Sequence, residues 1–397
     1  MHDPRPSLTS RAVPIPAPAA PARLAVEVRR DLDLTPNDVR AWDELIEARP
    51  EVGVFVSKPW LSGFFEEPPP DTVPMLVLLR AAGVLCGVAP IAVRRRVTHA
   101  RIALLGGGLG SDRVDLLSAK GFEVPCSDAL LTWLGDAFGR GFVLELQDVP
   151  IDSALWGAIY RANATGSVRL ALQPRDVHAL PCLDLAELWP ASLEDQSPMG
   201  GGSLDRHRRW LERRGHVRVD VLNDVREVMD SFDALARLLH ARWAHTPCGS
   251  ALDQPATRRF HRHVLPLLLR ARRLKMVRLS VDARIVAVFY GLTGASWWGY
   301  YFLGYDREWA GRLHLGRLAL AEAIRLATQD GATEFDFLKG PEPVKYLWPV
   351  RTRATLSAEV YAAGAGAQLA RAVAATRDAA AAVAKFAGRL AAAGARA

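Results

Sequence analysis

Residues 304–348 read GYDREWAGRLHLGRLALAEAIRLATQDGATEFDFLKGPEPVKYLW. The segment opens at the end of an aromatic strand expected over 296–305. A loop over 306–315 and a helix over 316–329 follow, and a second strand over 333–338 completes a βαβ unit. Glu334, Phe335, Asp336, Phe337 and Leu338 alternate charge and bulk, as a half-buried strand requires. Where that strand should end, the chain places Lys339, Pro341, Glu342, Pro343 and Lys345. The chain has only six lysines among its 50 basic residues, so two in one turn concentrate a scarce residue type.

The loop sets Arg307, Arg312, His314 and Gly316 immediately before a helix start. Unpaired N–H groups and the positive end of the helix dipole make such a position an anion site. Gly316 lets a ligand approach the backbone, and Arg312 supplies positive charge. No Walker motif and no G-x-G-x-x-G is present in this region. The glycine run 106–110 (GGGLG) precedes a strand-like segment and reads as a loop, which removes support for kinases and dehydrogenases. Upstream, the pairs Trp297-Trp298 and Tyr300-Tyr301 direct rings to both faces of one strand.

The segment resembles the signature of GNAT-superfamily acyltransferases of the cellulose-biosynthesis-associated (CelD/BcsL-type) group. That signature is a GYD-x-x-W stretch, a small-residue helix start, and a strand ending in a D-F-[LS]-[RK]-G-x-E-x-[YF]-K-like motif. Leu315 stands where that group commonly has proline, and Val344 replaces an aromatic residue. The resemblance extends over roughly 40 to 360 and implies tandem GNAT-like folds, mixed twisted α/β sheets flanked by helices, as in the related FemAB-type aminoacyltransferases. It implies an acetyl-CoA or other acyl-CoA donor and no metal. The pantetheine would lie along 297–305, and the pyrophosphate would meet 312–317, with Arg312, Leu315, Gly316 and Arg317 as contacts.

On that picture Asp336 accepts the acceptor's proton, His314 is a second candidate base, and Tyr301 or Tyr305 reprotonates the leaving thiolate. Lys339, Glu342, Lys345, Trp309 and Tyr305 are candidate substrate contacts. The competing reading makes Asp336, Glu342 and the two lysines a structural ion-pair knot closing the strand.

The rest of the chain frames this unit. Its 397 residues suffice for two domains; half are apolar and 23% charged, a globular balance. The net charge of +7 favours anionic partners. Cys86, Cys126, Cys182 and Cys248 are scattered, which argues against zinc or a disulfide framework and suits the cytoplasm. Residues 1–22 are Pro/Ala-rich and expected to be disordered. Domains are expected over 23–180 and 181–362, with an Arg-rich helix over 203–215 and an Ala-rich helical tail over 363–397. The hairpin 75–96 resembles 274–292, and strand 142–150 resembles 333–343, a weak internal duplication. Residues 285–305 run without a formal charge but read as two strands turning at Leu292-Thr293-Gly294, not as a membrane span.

The resemblance implies an acyltransferase acting on an amine or hydroxyl of a small or envelope-polysaccharide-related acceptor. An aminoacyl-tRNA donor is the alternative, with RNA phosphates on the stripe Arg206, Arg209 and Arg213. A non-catalytic partner in polysaccharide biosynthesis is a third reading.

Overall fold

The computed structural model describes residues 24–166, 168–186, 203–246, 249–310, 315–340 and 342–394. The segments expected as a disordered N-terminus, together with Arg312, His314 and Pro341, lie outside the described residues.

Among the described residues, thirteen strands form one mixed sheet: β1 (Ala25–Arg29), β2 (Val73–Ala81), β3 (Val84–Arg95), β4 (Ala100–Leu104), β5 (Leu117–Ser118), β6 (Phe142–Pro150), β7 (Leu170–Asp184), β8 (Val217–Leu222), β9 (Leu274–Val281), β10 (Arg284–Gly294), β11 (Trp297–Tyr305), β12 (Glu334–Asp336) and β13 (Arg351–Ala362). Their order across the sheet is β1-β2-β3-β4-β6-β13-β7-β12-β11-β10-β9-β8, with β5 beside β3.

The two ends of this order mirror each other. Strands β1 to β4 are antiparallel neighbours and β4 runs parallel to β6; strands β8 to β11 are antiparallel neighbours and β11 runs parallel to β12. Helices Pro36–Ala48 and Lys58–Glu66 separate β1 from β2, and Val225–Trp243 and Pro255–Arg270 separate β8 from β9. The fold repeats one α/β arrangement, and the segments paired in the sequence, 75–96 with 274–292 and 142–150 with 333–343, fall in matching places within it.

The last strand of each unit crosses over. β13 pairs with β6 on one side and β7 on the other, while Cys182 to Asp184 of β7 pair with β12. The two units therefore share one continuous sheet, and the expected division at 180/181 falls inside β7.

Local sequence accounts for these elements. Thr35 caps the first helix by accepting from Asp38 N, with Pro36 at its first turn. The turns of the two long hairpins need left-handed backbone, which Ala82, Gly83 and Asp282 supply. The turn after β10 is Ala295-Ser296, two residues beyond the expected Leu292-Thr293-Gly294, because β10 stays paired with β11 through Gly294. No helix among the described residues is long and apolar enough to cross a membrane.

Apolar side chains pack on both faces of the sheet. Trp297 joins the core shared with the N-terminal unit, and Trp298 joins the core under helix Leu315–Gln329, as their alternation requires. Between the units, helix Pro255–Arg270 docks on helix Lys58–Glu66 at Gly63, where a Cβ would stand 2.5 Å from the Phe260 ring. The Arg-rich helix runs Ser203–Glu212 and leaves Arg206 and Arg209 exposed, as is Arg213 beyond its end. The Ala-rich tail forms helix Ala365–Gly394, with Ala367 and Ala374 buried against β6 and β13.

Candidate active site between diverging strands

The site begins where two parallel strands part. β11 pairs with β12 only over Trp297–Gly299 against Glu334–Asp336, although β11 continues to Tyr305. Its register against β10 also slips between Tyr290 and Gly291, leaving Tyr301 as the extra residue of a bulge.

Asp336 explains why β12 stops. Its Oδ1 accepts from Leu338 N at 2.8 Å, and Leu338 adopts a left-handed φ of 54°. Its Oδ2 accepts from the Arg113 guanidinium at 2.6 Å, and both side chains are buried. Phe337 N then donates to Pro181 O at 2.9 Å and Lys339 N to Asp112 Oδ2 at 3.1 Å, drawing the chain towards the N-terminal unit. Asp336, the expected base, thus has both oxygens engaged in the interior at the residue where β12 ends.

Two hollows meet at that gap. One, of about 250 Å³, lies at the start of helix Leu315–Gln329 and is lined by Tyr305, Leu315, Gly316, Arg317 and Val344. The other, of about 590 Å³, lies between the units and is lined by Gly110, Asp112, Trp243, Tyr301, Lys339 and Lys345, among others. Arg242, Tyr300, Leu303 and Glu342 line both, so the hollows share a wall at the divergence.

Gly316 permits the close packing at the helix start: a Cβ there would stand 2.6 Å from the Tyr305 ring. Arg242 lies over Tyr305 at 4.8 Å and over Trp243 at 4.9 Å from the ring centroids. Among the described residues no carboxylate forms an ion pair with it.

The lysines are held by protein. Lys345 is buried, donates to Lys339 O at 2.8 Å and pairs with Glu342 at 2.9 Å. Lys339 binds both oxygens of Asp148 at 2.9 Å. Of the four groups expected to form an ion-pair knot, only Lys345 and Glu342 pair with each other; Lys339 pairs with Asp148 and Asp336 with Arg113, and the two lysines and Glu342 also face the hollows.

Asp112 was not anticipated. It lines the larger hollow, and burial pushes its carboxyl up to about 6, against the lowering effect of the Lys339 N–H and of the two lysines. No periodicity marks it; the loop GGGLGSD positions it through Gly106, Gly108 and Gly110, all at positive φ. Tyr301, expected as an acid, donates its hydroxyl to Gly110 O at 2.6 Å, and burial raises its phenol further. Tyr305 belongs to the smaller hollow. Trp309, expected at the substrate, packs instead on Trp210 with centroids 6.0 Å apart and lies under Arg284, lining neither hollow.

The fold is similar to that of known proteins. A family model described as an acetyltransferase (GNAT) domain matches residues 202–346. FemX in its crystal structure superposes with a TM-score of 0.60 at 10% identity, over 87% of this chain and 99% of that one. A conserved protein of unknown function from Bacteroides thetaiotaomicron gives 0.50 at 12% identity, over 85% and 99%. A tandem GNAT protein from the clavulanic acid biosynthesis pathway gives 0.45 at 15% identity, over 86% and 99%. No curated protein matches the chain. Residues 202–346 thus match a GNAT acetyltransferase domain, and the tandem fold as a whole is similar to that of FemX.

Proposed function

We propose that the protein is an acyltransferase that uses an acyl-CoA donor and an amine acceptor. The observation that carries this reading is the divergence of β11 from β12, with one hollow on the side of a helix start and a second reaching Asp112. A bound acyl-CoA would supply an activated thioester carbonyl at the gap. The helix start at Leu315 and Gly316, with Arg317 beside it, suits the donor's phosphates. Holding donor and acceptor on either side of one gap replaces a collision in solution with a fixed encounter.

Asp112 is the base. A carboxylate raised to about 6 stays largely ionised at neutral pH while being basic enough to accept a proton in the reaction. As the acceptor nitrogen bonds to the carbonyl carbon and the C–S bond breaks, the nitrogen's proton passes to Asp112 and the sulfur leaves as thiolate. Lys339 and Lys345 fix the turn whose backbone N–H orients Asp112. Tyr301 holds the glycine loop that carries it.

The resemblance of residues 304–348 to the cellulose-biosynthesis-associated group supports an envelope-related acceptor. Thiol release from acetyl-CoA in the presence of an amine panel tests the reading. Acceptor-dependent release that Asp112→Asn lowers by about 10²-fold or more supports it. Saturable tRNA binding without acetyl-CoA binding would replace it with the aminoacyl-tRNA alternative.

A further inference from the structure

Sorting the charges that line the larger hollow by their partners leaves two unmatched. Lys345 is paired with Glu342, and Lys339 with Asp148. Asp112 accepts only a backbone N–H and has no arginine or lysine side chain within ion-pair distance among the described residues. Arg242 rests between the Trp243 and Tyr305 rings, which hold a guanidinium without neutralising it. One anion and one cation therefore face the same half-buried space, each short of the partner that would offset its desolvation.

We propose that the acceptor is a small zwitterion, a molecule carrying a primary amine and a carboxylate, whose ammonium meets Asp112 and whose carboxylate meets Arg242. The inference rests on the acyltransferase reading and names the acceptor class for the same site. A planar guanidinium already fixed by two rings binds a carboxylate in two parallel hydrogen bonds with little further ordering. A neutral amine, or an amino sugar without an acid group, leaves Arg242 unmatched. Leu239, Tyr300, Phe302 and Leu303 give the remaining wall an apolar character, and 590 Å³ lies within the range of small-molecule sites. On transfer the ammonium loses one proton to solvent and a second to Asp112, the C–N bond forms as the C–S bond breaks, and the carboxylate stays on Arg242 throughout.

The test uses the full chain with acetyl-CoA and pairs each L-amino acid with its own carboxamide in the thiol-release assay. At least one acid is expected to exceed its amide in kcat/KM by about 10²-fold, and Arg242→Gln to reduce that preference to tenfold or less. Arg242→Lys is expected to keep part of the preference, and acetyl-CoA affinity of both variants by calorimetry to stay within about threefold of the parent. Equal use of acid and amide, or a preference that Arg242→Gln leaves intact, overturns the proposal. So does a folded chain that binds acetyl-CoA but acylates no amino acid, or an Arg242→Gln variant whose main loss is in acetyl-CoA binding, which would make Arg242 a donor-phosphate contact. A folded chain that binds no acetyl-CoA overturns the acyltransferase reading itself, and the calorimetry separates that failure from the others.

Discussion

Arg113 of the N-terminal unit and Asp336 at the end of β12 form an ion pair of 2.6 Å, with side-chain exposures of 2% and 0%. The pair joins the two units directly behind the gap and ends the strand whose shortness creates it. Removing one partner leaves the other charged and buried, a loss of about 3–5 kcal/mol. Asp336→Ala and Arg113→Ala are therefore expected to lower the midpoint of chemical denaturation strongly. Under conditions where the variants remain folded, the per-molecule rate should fall far less than for Asp112→Asn. A larger rate loss for Asp336→Asn than for Asp112→Asn would restore Asp336 as the base.

Asp112 gives the site a pH signature. The ionised form is the one that accepts a proton, so kcat/KM is expected to rise through about pH 6 and level off above it. The same shift has an opposite consequence for stability. A carboxyl whose folded pKa lies above its unfolded value binds more protons when folded, so its contribution declines as pH rises from about 4 to about 6. Asp112→Asn is thus expected to lose about 10²-fold or more in activity yet be as stable as the parent, or more stable by roughly 1–3 kcal/mol, above pH 6. Denaturation curves at pH 4 and pH 7 for both proteins check the sign.

Tyr301 separates a chemical role from a structural one. Its hydroxyl proton is committed to the Gly110 carbonyl. Tyr301→Phe is expected to cost about 1 kcal/mol of stability and to change kcat less than tenfold. A loss of 10²-fold or more at full occupancy by both substrates would make it an acid in the reaction.

Gly316 reports on the donor side. Adding a methyl group there collides with the Tyr305 ring, which lines the smaller hollow. Gly316→Ala is expected to weaken acetyl-CoA binding about tenfold, and Gly316→Val to abolish measurable binding, with the Asp112 region unaffected. Calorimetry against circular dichroism of each variant distinguishes lost binding from lost folding.

The tandem architecture was legible because its signals are local and periodic: the βαβ run from 297 to 338, the paired hairpins, and the Thr35-Pro36 cap all lie within short windows. The exchange of β7 and β13 was not, since strand order in a sheet depends on contacts that no window contains. The same limit explains the site. Gly316 and its surroundings were readable as a helix start, whereas Asp112 and Arg242 reach the gap from segments more than a hundred residues apart. The pairing of Asp336 with Arg113 was not legible, because the two lie 223 positions apart. His314 and Arg312 lie outside the described residues, and their roles stay proposals.

The most direct test of the donor site is titration of the full chain with acetyl-CoA by calorimetry, for the parent, Asp112→Asn and Gly316→Val. Saturable binding by the parent and by Asp112→Asn, lost in a folded Gly316→Val, is the predicted result. Absence of binding by the folded parent, or binding that Gly316→Val leaves unchanged, would contradict a donor seated between the diverging strands.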